Sequence, residues 1–151
     1  MTDPEPTTRV DFYVLESSEA RARLYYACRL VEKAYLADQT VYVNVATDAE
    51  AVALDEYLWT FGEGSFVPHA RAGAGKAPVT IGTGTPGEGA ARVLVNLAPD
   101  APAFFAAFER VAEFVDADAA RREQGRRRFA FYREKGIRAL THNVGGDGPR
   151  P

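Results

Sequence analysis

Cysteine is almost absent from this sequence, which contains only Cys28 among its 151 residues. Because a single cysteine forms no internal disulfide, a reducing compartment such as the cytoplasm is expected. Long apolar runs are missing too, and without a run of about 18 such residues no membrane-spanning helix is predicted. The polar, proline-bearing N-terminus lacks the apolar stretch of a signal peptide. These absences predict a cytoplasmic protein that does not contact membranes.

The sequence is equally poor in the residues from which metal and catalytic sites are built. His69 and His142 are the only histidines, and neither has a second histidine or a cysteine at metal-ligand spacing. The string Gly82–Gly87 matches G-x-G-x-x-G, but it leads into another predicted strand instead of opening a helix, so a connecting loop is favoured over a dinucleotide site. Cys28 is interpreted as a buried structural thiol. We therefore predict no catalytic residues, no metal and no cofactor.

Charge is distributed unevenly along the chain, although its net value is only −3. The segment from Arg121 to Arg138 has eight basic and two acidic residues, a net charge of +6, whereas the rest of the chain carries −9. Such asymmetry indicates an anionic partner. The acidic remainder would repel a long phosphate track, which favours a short anionic ligand.

Short apolar runs alternate with helical patterns over most of the chain. Strands are predicted at residues 10–15, 40–45, 79–81, 92–97, 114–115 and 137–140. Four helices are predicted. The first runs from a cap at Ser17 or Ser18 to Asp38, and the second from a cap at Thr47 to about Trp59. The third covers residues 100–111, and the fourth runs from a cap at Asp116 or Asp118 to Gly136. Glycine-rich residues 61–77 are predicted to form a loop.

This alternation predicts a single α/β domain over residues 9–144, with a mainly parallel sheet covered by helices on both faces. Residues 1–8 are expected to form a disordered lead and residues 145–151 a flexible tail.

The basic helix places Arg122, Arg126, Phe129 and Arg133 on one face, since they are spaced by four, three and four residues. One interpretation is a solvated arginine face with Phe129 turned into the core. The other is an anion-binding groove, in which guanidinium groups pair with carboxylates or phosphates and the ring contacts a base or an apolar side chain. The spacing leaves an acidic peptide and a nucleic acid both open as ligands.

Several strings resemble the chi subunit family of bacterial DNA polymerase III. They are Leu-Asp-Glu-Tyr-Leu-Trp at 54–59, Ser-Phe-Val-Pro-His at 65–69 and Ala-Pro-Val-Thr-Ile at 77–81. Residues 12–15, 104–116 and 126–136 fit the family as well. The resemblance covers about residues 9–144, and its motifs are specific in combination.

This resemblance implies a Rossmann-like fold and a non-catalytic adaptor of the clamp-loader complex. Members of the family join the psi subunit to the acidic C-terminal tail of single-stranded DNA-binding protein, which ends in phenylalanine, so DNA would be contacted only indirectly. The resemblance implies a psi-binding surface near Trp59 and Phe66.

The tail-binding site is implied at Arg122, Arg126, Phe129 and Val115, and Arg133 extends the same helix face. Phe129 stands where the best-known members carry tyrosine, so the ring is kept while a hydroxyl hydrogen bond is lost. Two other functions are weighed against this one. A direct single-stranded nucleic-acid binding module is the alternative, and a nucleotide-using enzyme is disfavoured by the misplaced glycines.

Overall fold

Runs of β-branched and aromatic residues build a parallel sheet at the centre of the molecule. The computed structural model describes residues 8–62, 64–73, 77–87 and 91–144. Within these residues the sheet has seven strands in the order β3-β4-β2-β5-β6-β1-β7, and every neighbouring pair is parallel. The strands are β1 Arg9–Leu15, β2 Val41–Asn44, β3 His69–Arg71, β4 Val79–Gly82, β5 Val93–Asn96, β6 Arg110–Val115 and β7 Leu140–Val144.

Three α-helices in the described residues cover the two faces of this sheet. They are α1 Ala20–Leu36, α2 Asp48–Leu58 and α3 Ala119–Glu134. Val31 of α1 and Leu54 of α2 share one buried cluster with Ile81 of β4. Tyr132 of α3 lies in a second cluster with Phe12 of β1. The predicted fold class is therefore confirmed, because α1 and α2 pack on one face and α3 packs on the other.

The predicted caps are confirmed for two of the three helices. At α2, Thr47 Oγ1 accepts a hydrogen bond from Glu50 N at 3.2 Å, while Glu50 Oε2 accepts one from Ala46 N at 3.0 Å. The cap predicted for α1 at Ser17 or Ser18 is wrong, since the cap residue is Glu19. Ser17 Oγ instead accepts a hydrogen bond from Glu19 N at 3.1 Å, in the turn before the helix.

Helix α3 begins and ends where the sequence predicts. Asp118 Oδ2 accepts a hydrogen bond from Arg121 N at 3.0 Å. At the other end Gly136 has a φ of 80°, and Ile137 N donates to Tyr132 O at 2.9 Å, which is the Schellman arrangement. Because this cap occupies Ile137, the last strand begins only at Leu140, and its predicted position at 137–140 is wrong.

The helix predicted over 100–111 is also wrong. Only a 3₁₀ turn, Phe105–Ala107, forms there, and the chain then enters β6 between β5 and β1. Strand β6 is buried on both faces, with side chains alternating between the two core clusters. The predicted helix overlaps this strand only at Arg110 and Val111. Periodicity alone does not distinguish a short buried strand from a segment of a buried helix. The strand predicted at 114–115 is the end of this longer element.

The stretch predicted as a loop at 61–77 contains the short edge strand β3, which pairs in parallel with β4. By contrast, the loop prediction for the G-x-G-x-x-G string is confirmed in its described part, since Gly82 ends β4 and residues 83–87 are not helical. Cys28 is buried in α1 as predicted, and burial raises the pKa of its thiol to about 12. The thiol is therefore uncharged near neutral pH.

A buried carboxylate on β6 anchors α3 to the sheet. Glu113 has no exposed surface. Its Oε1 accepts a hydrogen bond from Arg128 Nε at 2.8 Å, and its Oε2 accepts one from the Tyr132 hydroxyl at 2.7 Å. Burial raises the pKa of Glu113, although Arg128, Tyr132 and Asn96 oppose that shift. Two side chains of α3, one turn apart, are thus held by a single carboxylate.

The same carboxylate continues into a polar chain across the sheet. Asn96 Nδ2 on β5 donates to Glu113 Oε2 at 3.0 Å, and Asn44 Nδ2 on β2 donates to Asn96 Oδ1 at 3.0 Å. Asn44 Oδ1 in turn accepts a hydrogen bond from Gly84 N at 2.9 Å. Buried polar groups are tolerated when they are paired in this way. The chain links α3 to the loop after β4.

Residues 1–7 and 145–151 lie outside the described residues, so the lead and the tail remain predictions there. Thr8, the last residue of the predicted lead at 1–8, is buried, and its Oγ1 donates to Phe108 O at 2.7 Å. In the described ranges, no helix combines the length and apolar character needed to cross a membrane.

Replacing Arg128 with methionine tests the anchor of α3. We expect Arg128→Met to lower the free energy of unfolding by about 3–5 kcal/mol, because it leaves Glu113 as a buried carboxylate without its cation. Urea titration followed by circular dichroism measures this change. Arg127→Met is the matched control, since the Arg127 side chain is 77% exposed. Equal stability of the two variants would contradict the anchoring role.

Candidate functional site

The N-terminus of α3 is fixed by a second buried ion pair. Asp116 has no exposed surface, and its Oδ2 lies 2.8 Å from Arg121 Nη2. Arg121 Nη2 also donates to Ser18 O at 3.0 Å. The hydrogen bonds to Asp116 raise the pKa of Arg121. This arginine therefore ties α3 to the end of β6 and to the turn before α1.

A glycine in the middle of α3 lets the helix approach β6 closely. Gly125 is buried, and a Cβ atom at this position would lie 2.7 Å from Val115 Cγ2. A real side chain would therefore clash, which is a packing use of glycine inside a helix. Val115, itself buried, lies directly beneath α3 as a result.

The three arginines of the predicted tail site, Arg122, Arg126 and Arg133, are exposed on α3. The Arg126 side chain is 72% exposed, and its Nη1 lies 3.4 Å from Glu123 Oε2. Arg127 Nε lies 3.9 Å from the other oxygen of the same carboxylate. Glu123 is therefore an acidic side chain of the protein itself next to the predicted anion-binding face.

Phe129 lies between the exposed arginines and the core. It is partly buried and meets the Phe12 ring edge-to-face, with ring centroids 5.3 Å apart. It packs against the cluster that contains Val115. The structure thus brings the two apolar residues of the predicted tail site into one cluster beneath the helix that carries the arginines.

Sequence reasoning missed that two of the eight basic residues are used internally. Arg121 and Arg128 pair with Asp116 and Glu113, which lie outside the basic segment. The positive charge that the basic segment exposes to solvent is therefore smaller than its net charge of +6. A glutamate inside a strand buried on both faces needs a cationic partner. The sequence predicts a helix up to residue 111 and a strand from residue 114, so Glu113 falls between the two predicted elements and its burial is not predicted.

The second predicted surface carries two exposed aromatic side chains. Trp59, the C-cap residue of α2, is 54% exposed, and Phe66 is 80% exposed. The Trp59 ring centroid lies 4.2 Å from that of His69. Exposed aromatic side chains of this size are typical anchors of protein interfaces.

The chain around Phe66 is held in place by its neighbours. Phe61 and Val67 are buried on either side of it. The imidazole of His69 has no exposed surface. Its Nδ1 lies 2.6 Å from Val67 O, and its Nε2 lies 2.9 Å from Asp55 O. Among the described residues, no group of three or more His, Cys, Asp or Glu side chains could hold a metal ion. Through its contacts with Val67 O and Asp55 O, the His69 ring connects the segment after Phe66 to α2.

The two surfaces lie on different faces of the sheet. Trp59 follows α2, which packs on one face, and the arginines belong to α3, which packs on the other. Two ligands bound at these surfaces would not compete for space. The binding roles predicted for Trp59, Phe66 and the α3 residues remain predictions.

Comparison with known proteins identifies the family. Residues 7–139 match the family described as DNA polymerase III chi subunit, HolC. The chain is 43% identical over 138 residues to DNA polymerase III subunit chi of Pseudomonas aeruginosa, covering 91% of this chain and 97% of that protein.

Two further relatives have the same name. The protein of Haemophilus influenzae is 30% identical over 138 residues, covering 89% of this chain and 96% of its own length. That of Escherichia coli is 30% identical over 118 residues, covering 76% and 80%. The chain therefore belongs to the DNA polymerase III chi subunit family.

Proposed function

We propose that this protein is a non-catalytic accessory subunit of the DNA polymerase III clamp-loader complex in the cytoplasm. It links the psi subunit to the acidic C-terminal tail of single-stranded DNA-binding protein. Membership of the chi family supports the replication role. The observation that carries the tail assignment is the juxtaposition of the exposed arginines of α3 with two apolar residues, Phe129 of the same helix and Val115 of β6 beneath it.

The tail would be held through its last residue. Arg126 donates hydrogen bonds to the terminal carboxylate, and each such charge-assisted bond contributes about 1.5–3 kcal/mol. The terminal phenylalanine ring packs beside Phe129 and Val115, which contributes about 1.5–3 kcal/mol more. Upstream acidic residues of the tail are attracted by Arg122 and Arg133 within about 8–10 Å at physiological salt. After the cost of ordering the tail, micromolar affinity of about −8 kcal/mol is expected.

The distribution of charge makes direct nucleic-acid binding the weaker alternative. Non-specific DNA binding depends on many lysine or arginine contacts to phosphates. Arg121 and Arg128 are already paired with buried carboxylates, and Glu123 lies beside Arg126. The exposed cations that remain suit a short anionic ligand better than a phosphate track.

The psi subunit is assigned to the other face of the sheet. Trp59 and Phe66 present exposed aromatic surface there. This contact would be mainly apolar and would leave α3 accessible, so the protein would bridge both partners at once.

Removing the guanidinium of Arg126 tests the tail site. We expect Arg126→Ala to weaken binding of the tail peptide at least about tenfold, because a charge-assisted hydrogen bond to the carboxylate is lost. Isothermal titration calorimetry measures the affinity, and circular dichroism checks the fold. Arg127→Ala is the matched control, because it removes an exposed neighbour that also contacts Glu123. Unchanged affinity of the Arg126 variant would remove the basis for this site.

Blocking the terminal carboxylate of the peptide tests what Arg126 recognises. An amidated tail peptide keeps the phenylalanine ring and the upstream acidic residues but loses the terminal charge. We expect at least about tenfold weaker binding in the same calorimetric assay. If amidation has no effect, the arginines recognise only the acidic side chains upstream.

Removing the charge of Glu123 tests the same site through an expected gain, and not a loss, of affinity for the tail. The Glu123 carboxylate competes with the tail for Arg126, so we expect Glu123→Gln to strengthen tail binding about two- to fivefold, in line with an exposed ion pair of about 0.2–1 kcal/mol. Glu134→Gln removes the same charge at the C-terminus of α3 and serves as control. Equal effects of the two changes would show that net charge, and not the Glu123–Arg126 contact, sets the affinity.

A further inference from the structure

A groove of about 510 Å³ lies between α1 and the strands β1, β6 and β7. It opens on the face of the sheet opposite α3, since Ala34 and Phe114 in its wall belong to the α1–α2 core cluster. No residue assigned above to the tail site or the psi surface lines it. Its volume is within the range of about 300–1,000 Å³ that is usual for binding sites.

The groove is rich in positive charge. Arg29 and Lys33 of α1 line one side and Arg110 of β6 the other, and none of the described residues that line it is acidic. Arg29 and Lys33 are one helical turn apart and therefore lie on the same side of α1. Arg29 Nη1 donates to the Tyr25 hydroxyl at 3.0 Å, and its Nε lies 4.0 Å from Glu32 Oε1 on the same helix.

Arg110 is held in place by a buried carboxylate. Its Nε lies 3.2 Å from Asp11 Oδ2, and its Nη2 donates to the Tyr13 hydroxyl. Asp11 has no exposed surface and also contacts Arg9 and His142. Burial raises the pKa of Asp11, but His142, Arg9 and Arg110 outweigh this effect and hold it below its usual value. The guanidinium of Arg110 is thereby fixed at the groove before any ligand arrives.

The floor of the groove favours an apolar side chain over a stacked base. The Tyr13 ring is stacked between Phe114 and His142, with centroids 5.2 and 5.1 Å apart and interplanar angles of 21° and 22°. Both faces of the Tyr13 ring are therefore covered by its neighbours. A ligand in the groove would contact the edge of this ring and the aliphatic side chains of Leu30 and Val144. Nucleic-acid sites of the aromatic type need free ring faces.

We propose that this groove binds a short acidic peptide segment of a partner protein. One apolar side chain enters between α1 and the Tyr13 edge, and flanking carboxylates pair with Arg29, Lys33 and Arg110. Charge complementarity is the argument for this occupant. Arg29 and Lys33 border the apolar floor, and the single carboxylate of Asp11 is shared by Arg9 and Arg110, so it does not neutralise both arginines. The site is distinct from the α3 face and does not depend on a terminal carboxylate.

A blocked peptide separates this site from the one on α3. The probe is acetyl-Asp-Asp-Leu-Phe-Asp-Asp-amide, which has no terminal carboxylate, titrated into the ¹⁵N-labelled full chain and followed by NMR. We expect saturable shifts of the Tyr13, Lys33 and Val144 amides, with a dissociation constant below about 1 mM. Absence of saturable shifts at these amides up to about 2 mM peptide would overturn the proposal.

Charge reversal on α1 tests the cations of the groove. We expect Lys33→Glu to weaken binding of the probe at least about fivefold. Arg21→Glu is the control, because it makes the same charge change at an exposed α1 residue outside the groove. We expect this control to change the affinity less than about twofold. Equal weakening by both variants would overturn the proposal, because the peptide would then sense only net charge.

Two further ligands test the chemistry of the occupant. Replacing Leu and Phe of the probe with Ser should weaken binding at least about tenfold, because the apolar contact is lost. An oligothymidylate of six nucleotides should bind the groove more weakly than the peptide at the same salt concentration. Tighter binding of the oligonucleotide, or no loss with the serine peptide, would overturn the assignment to an acidic peptide.

Discussion

The ion pair between Glu113 and Arg128 is the contact on which the position of α3 depends. Glu113 has no exposed surface, and Arg128 is only 4% exposed, so neither charge is stabilised by bulk water. Each is tolerated because the other is present, and Tyr132 and Asn96 satisfy the remaining oxygen of the carboxylate. Breaking the pair would affect the helix and the polar chain across the sheet together.

Two other contacts complete the attachment of α3. Arg121 binds the buried Asp116 at the start of the helix, and Gly125 allows the middle of the helix to rest on Val115. These contacts fix the helix along its length. Its outward face carries the exposed arginines, and the apolar residues Phe129 and Val115 lie beneath them. The proposed recognition of an acidic tail requires both features at a defined spacing, which a rigid helix provides more reliably than a loop.

The sequence predicted the elements whose local signals agree with their tertiary setting. Thr47 with Glu50 marked the start of α2, and Asp118 and Gly136 marked the ends of α3. Residues 100–111 instead form a 3₁₀ turn and the first two residues of β6, because periodicity over such a short apolar stretch does not distinguish a helix from other buried chain. The exposed site residues followed from helical spacing and family resemblance. The pairing of Arg128 did not, because its partner Glu113 lies on β6 and is brought beneath α3 only by the folded sheet. Asp116 lies only five residues before Arg121, but the sequence marks it as a cap candidate and not as a buried ion-pair partner.

Mapping the tail peptide on the folded protein tests directly whether α3 binds it. In an NMR titration of the full chain with the unmodified acidic peptide ending in phenylalanine, we expect saturable shifts at Val115, Arg126 and Phe129, with little change at Trp59 and Phe66. Shifts confined to the Trp59 and Phe66 surface, or to the groove beside α1, would contradict this expectation.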